Sequence, residues 1–95
     1  PMGDPADLPF SLSVHDEEEA RQAARRGAAL VFVSPVYLTR SHPDAPALGE
    51  ARALELAGRA GCFAVALGGV DGTRGAALMR RGFHGWAGID CWLRT

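Results

Sequence analysis

The sequence predicts a parallel α/β fold, a single domain over 1–95 in which four strands alternate with three helices. Two observations carry that prediction. Three times an Ala- and Arg-rich stretch ends in Gly and an apolar run follows at once: Arg25-Arg26-Gly27 before 28–33, Arg59-Ala60-Gly61 before 62–67, and Arg80-Arg81-Gly82 before 85–89. Gly just past a helix end adopts the left-handed conformation without a steric penalty, and Arg in the last turn complements the helix dipole. The apolar runs are also nearly continuous, the pattern of strands covered on both faces in a parallel sheet.

Each element follows in order. The first strand, 10–14, is the one that alternates, with Ser11 and Ser13 on the face opposite Phe10, Leu12 and Val14. Asp16 is placed to cap a helix over 17–26, with Glu19 completing a capping-box-like pair. Ala20, Ala23 and Ala24 fall on one face of that helix. A second helix is predicted over 48–60, with Ala53, Leu56, Ala57 and Ala60 on its stripe. Asp71 is placed to cap a third over 72–81, carrying Ala76, Ala77 and Met79. Small residues on these stripes allow close approach to a sheet, and strand–helix–strand units of this kind cross over right-handed.

Composition bounds the function classes. The chain has 95 residues, 47% hydrophobic and 22% charged, with a formal net charge of −1. That balance excludes a general nucleic-acid or anionic-membrane surface, which needs a clustered excess of basic residues. All 10 basic residues are Arg, which reads as genomic base composition rather than as a binding device. Cys62 and Cys91 lie inside apolar runs, as buried free thiols in a reducing compartment do. No apolar run approaches the roughly 20 residues of a membrane span, and no basic-then-apolar leader is present. The expectation is a cytoplasmic protein. The opening Pro1-Met2-Gly3 reads as the result of processing or truncation.

In a parallel sheet, chemistry gathers where the strands end. Those ends read Ser13-Val14-His15-Asp16, then Ser34 through Pro43, then Gly68-Gly69-Val70, then Gly88-Ile89-Asp90-Cys91. Gly68-Gly69 between strand and helix lets backbone N–H groups reach an anion, or serves the turn sterically. Gly88 is a second position of close approach. Thr39, Arg40, Ser41 and His42 supply hydroxyls, a guanidinium and an imidazole suited to a phosphate or diphosphate, or form a surface loop stiffened by Pro35, Pro43 and Pro46. His15 is placed to transfer protons near neutral pH, or is a structural residue tied to its helix cap. His84 reads as surface, and Phe83, Trp86 and Trp92 as packing. No metal site is visible; the carboxylates of 16–19 read as charge complementing a helix start.

Ser13-Val14-His15 before an acidic helix, Phe32-Val33-Ser34-Pro35-Val36-Tyr37 running into Thr39-Arg40-Ser41-His42-Pro43, and Leu67-Gly68-Gly69-Val70 together resemble the C-terminal half of the thiamine phosphate synthase/TenI family. The resemblance covers essentially the whole chain. It implies the C-terminal half of a TIM (β/α)8 barrel. It also implies one of two activities in thiamine biosynthesis. Synthase members join hydroxymethylpyrimidine diphosphate to thiazole phosphate and release pyrophosphate with Mg²⁺ assistance; TenI-type members isomerise thiazole phosphate. On this resemblance Ser13, Thr39 and Ser41 contact the diphosphate, and Gly68, Gly69 and Gly88 donate to the thiazole phosphate. His15 is the TenI-like acid/base. Three departures stand out. His42 occupies a position where a Lys is common, and Asp90 one where a Ser is usual. The family's first four strands, with the pyrimidine site and the Asp residues for Mg²⁺, are absent. The implied partners are a phosphorylated small molecule and either the other barrel half or a second copy of this chain. The chain alone is expected to be inactive, and a non-catalytic phosphate-binding module is the competing reading.

Overall fold

The computed structural model describes residues 9–38 and 46–88. Its elements are β1 (Ser11–Val14), α1 (Glu17–Arg26), β2 (Leu30–Val33), α2 (Glu50–Ala60), β3 (Phe63–Ala66), α3 (Gly72–Arg81) and β4 (Gly85–Trp86). The strands form one sheet in the order β1-β2-β3-β4, every pair parallel. Sequential order combined with right-handed crossovers sends every connecting helix to the same side. The result is the arrangement of part of a (β/α)8 barrel.

Local chemistry sets the helix boundaries. The Asp16 carboxylate accepts from the Glu19 backbone N–H at 2.8 Å, and Asp71 accepts from the Arg74 N–H at 2.9 Å, each satisfying an orphan donor of a first turn. Gly27 and Gly61 end α1 and α2 in the left-handed conformation at φ 74° and 69°. α2 has Gly49 as its N-cap, with no side-chain cap, and starts at Glu50, slightly later than the sequence predicts.

Paired residues of a parallel ladder point to the same face, so Val14, Val33, Ala66 and Trp86 form one row, with Leu12, Val31 and Ala64 in the same layer. This is the helix-covered face, and Val14, Val31, Val33, Ala64 and Ala66 are buried there. The opposite rows, Ser13-Phe32-Val65-Gly85 and Ser11-Leu30-Phe63, are half-buried or exposed, Phe63 to 50%. Among the described residues the sheet is therefore covered on one face. The continuous apolar runs, read as strands covered on both, find a helix layer on one side only, because sequential strand order puts all three helices there.

Leu56 and Leu78 are the largest fully buried side chains, and Ala20, Ala23, Ala53, Ala57 and Ala60 supply the helix side of the core. The α2 stripe matches expectation throughout. On α1, Ala24 faces solvent. On α3 the buried positions are Gly75 and Leu78, while Ala76 and Met79 are exposed. The cause is the Trp86 ring: a Cβ on Gly75 would lie 2.4 Å from it, so the helix turns its glycine, not its alanines, to the sheet. Phe83 is buried as packing requires. His84 is exposed, yet its Nδ1 accepts from the Ala64 N–H at 3.0 Å and its ring stacks on Phe63.

Two glycines inside helices are expected to respond oppositely to alanine in urea denaturation. Gly58 of α2 has nothing near its missing β-carbon, so Gly58→Ala raises stability by about 0.5–1 kcal/mol through helix propensity. Gly75→Ala carries the same gain but overpacks Trp86, and the net change is a loss of about 1–2 kcal/mol.

Candidate functional site

The strand ends stay in register past the sheet. Ser34 N–H donates to Val14 O at 3.1 Å, Leu67 N–H to Val33 O at 3.0 Å, and Ala87 N–H to Ala66 O at 3.0 Å. His15, Ser34, Leu67 and Ala87 consequently leave the sheet along one rim, and Gly88 follows directly.

Along that rim the loop after β2 lies against the turn after β3. Val36 N–H donates to Leu67 O at 2.9 Å and Tyr37 N–H to Gly68 O at 3.0 Å. Gly68 and Gly69 have φ of 96° and 67°, a conformation that side-chain-bearing residues rarely adopt. A Cβ on Gly68 would lie 2.6 Å from Pro35 Cα, and one on Gly69 would lie 2.7 Å from Leu38 O. Both obstacles are backbone, so the glycine pair is required sterically as well as conformationally. Those two functions of the pair, left open by the sequence, are compatible. Among the described residues, the Gly69 and Val70 N–H groups donate to no protein acceptor. They lie just before α3, whose first turn holds no acid beyond its Asp71 cap, in contrast to Glu17, Glu18 and Glu19 on α1 and Glu50 on α2. Unspent backbone donors at a positive helix end are a setting for an anion.

A side-chain network braces this corner. Tyr37 OH donates to Glu50 Oε2 at 2.7 Å, and Arg81 donates to the other Glu50 oxygen at 2.6 Å. The Arg74 guanidinium lies over the Tyr37 ring, 4.3 Å from its centroid, and donates to Gly69 O at 2.9 Å. Burial and the Glu50 carboxylate push the Tyr37 phenol up to about 12, so it remains a donor at neutral pH. Sequence reading passed over Tyr37, Glu50 and Arg74. The available signal was Arg74 itself, a cation in a helix first turn, where the dipole disfavours it.

The other candidates distribute unevenly. His15 stands at the rim, exposed, with its backbone N–H and its ring Nδ1 both on Glu19 Oε1, at 2.7 and 2.9 Å. Ser13 sits on β1 beside Phe32, on the helix-free face. Thr39, Arg40, Ser41, His42 and Asp90 lie outside the described residues, as do Cys91 and Trp92. Cys62 is free and half-buried at the other end of β3, its thiol pushed up by burial. Among the described residues no three of His, Cys, Asp and Glu gather as metal ligands, and no helix is long and apolar enough to cross a membrane.

Residues 5–91 match the family model described as thiamine monophosphate synthase. The chain is similar to the thiamine-phosphate synthase of Roseiflexus castenholzii, 37% identical over 82 residues that make up 85% of this chain and 36% of the relative. It is 35% identical to that of Chloroflexus aurantiacus over 84 residues, 85% of this chain and 38% of the relative. With that of Listeria monocytogenes it shares 33% over 91 residues, 93% of this chain and 42% of the relative. It thus spans less than half the length of these relatives. No solved structure matches it.

Tyr37 is the only tyrosine, so phenolate absorbance reports its titration without interference. The folded chain is expected to titrate near pH 12 rather than the ordinary 10. Because the folded value is raised, the protonated phenol's contribution to stability is complete below pH 10 and is lost as pH rises towards about 12. Tyr37→Phe removes that part of the alkaline stability loss, and denaturant midpoints across this range check it.

Proposed function

The chain belongs to the thiamine monophosphate synthase/TenI family, and from that premise we propose that it is the phosphate-gripping half of a thiamine-biosynthesis enzyme. The observation that carries this reading is the Gly68-Gly69 turn, seated against Pro35 and Leu38 with the Gly69 and Val70 N–H groups unspent, among the described residues, just before α3. A phosphate monoester there accepts hydrogen bonds from backbone donors whose orientation is set before the ligand arrives, so little ordering remains to be done on binding. Gly88, beside Ala87 on the same rim, is a further donor position for that phosphate. Thr39, Ser41 and His42 hold the diphosphate on this reading, with Ser13 on β1.

The reaction proposed for the whole enzyme joins hydroxymethylpyrimidine diphosphate to thiazole phosphate and expels pyrophosphate. This half binds and orients phosphates. The described residues do not fit a Mg²⁺ site: Asp16 and Asp71 are engaged as helix caps and no third ligand joins them. On this reading the pyrimidine site and any metal ligands lie in the part of the enzyme that the longer relatives have in addition. The protein is proposed to be cytoplasmic.

One observation favours a second, TenI-like reading. Glu19 holds His15 through Nδ1, and a carboxylate on one ring nitrogen orients the imidazole and leaves the other for proton transfer. In that reading His15 moves the proton in a thiazole phosphate isomerisation on the same phosphate grip.

Calorimetric titration with thiazole phosphate and with pyrophosphate tests the proposal. The chain is expected to bind at least one, and Gly68→Val is expected to weaken that binding by about tenfold or more, with far-UV circular dichroism showing that the helices persist. His15→Ala leaves affinity unchanged within about twofold, since its ring is proposed to serve chemistry rather than the grip. Absence of binding by the wild-type chain to either ligand overturns the reading.

A further inference from the structure

We infer that Arg74 is a positioning residue for the Gly68-Gly69 turn, acting through the Gly69 carbonyl from a seat on the Tyr37 ring. A turn of two consecutive glycines at positive φ has more backbone freedom than any other pair of residues, and a donor array needs that freedom removed. The peptide group is planar and trans, so the carbonyl of one residue and the N–H of the next point in opposite directions. Holding Gly68 O therefore aims the Gly69 N–H, and holding Gly69 O aims the Val70 N–H. Tyr37 N–H performs the first at 3.0 Å. The Arg74 guanidinium performs the second at 2.9 Å.

Arg74 occupies a costly place for a cation, in the first turn of α3, where its own N–H is bonded to the Asp71 cap. Two contacts hold the side chain there, the Gly69 carbonyl and the Tyr37 ring at 4.3 Å. The ring is in turn fixed through its hydroxyl by Glu50, the first residue of α2. One guanidinium thereby ties the turn after β3 to the loop after β2 and to the start of α2. In function this inference rests on the phosphate reading, because an aimed Val70 N–H matters only if an anion receives it.

Backbone amide NMR relaxation on the 95-residue chain tests the positioning independently of any ligand, and calorimetry with inorganic pyrophosphate tests its consequence. The Gly69 and Val70 amides are expected to be as ordered as the Ala23 amide of α1, with order parameters of about 0.85, and Arg74→Ala is expected to lower them below about 0.6 while Ala23 stays unchanged. Pyrophosphate affinity falls by about tenfold. Arg74→Lys, which keeps the charge without the planar fork, restores less than half of the lost order. Unchanged order parameters at Gly69 and Val70 in Arg74→Ala overturn the inference. So does full order in Arg74→Lys, which would make charge alone sufficient. Lost affinity with unchanged order also overturns it, since Arg74 would then act on the anion directly. Lost order in a protein whose wild type binds no pyrophosphate supports the positioning and removes the phosphate reading for that ligand.

Discussion

Two backbones meet at the C-terminal rim of the sheet more closely than any side chain permits. The turn after β3 lies against Pro35 and Leu38 at distances that exclude a β-carbon on Gly68 or Gly69, and two N–H···O=C bonds close the gap. This contact makes neighbouring βα units share one surface rather than present two separate loops. Among the described residues it also leaves the Gly69 and Val70 donors unspent, because the carbonyls of the turn, not these N–H groups, are taken. The candidate site, the Tyr37–Glu50 bond and the seat of Arg74 all depend on that approach.

The scaffold below is built from small residues. Alanines on the inner faces of α1 and α2 and valines along the strands let the helices lie close to the sheet, while Leu56 and Leu78 fill the centre. Burying each such leucine is worth about 1.5–3 kcal/mol. By comparison, the exposed pairs linking Glu17 to Arg52 and Arg59, at 3.9 and 3.5 Å, add little in water. Apolar packing against one face therefore holds the helices, and the ion pairs follow from it. Among the described residues the other face carries Leu30, Phe32, Phe63 and Val65 without a helix over it. Membership in a barrel family and a length under half that of the relatives are consistent with that asymmetry.

What the amino-acid sequence determined by itself is local. Asp16 and Asp71 as caps, Gly27, Gly61 and Gly82 as stops, and the α2 stripe depend on neighbours a few residues away, and all stand as the pattern predicts. The sequential βα order follows from them, and with it the rim that collects His15, Gly68, Gly69 and Gly88. The glycine pair was legible because few residue types tolerate such a turn. The rim candidates Thr39, Ser41 and His42 fall outside the described residues. Tertiary structure alone decided which face of α3 is buried, because the Trp86 ring, not the helical period, selects Gly75 over Ala76. It alone joined Tyr37 to Glu50 across 13 positions and Arg81 to Glu50 across 31. It also seated Arg74 on Tyr37 and on the Gly69 carbonyl. Such contacts leave no periodic trace, since each is made by two segments that meet only after the crossovers have packed.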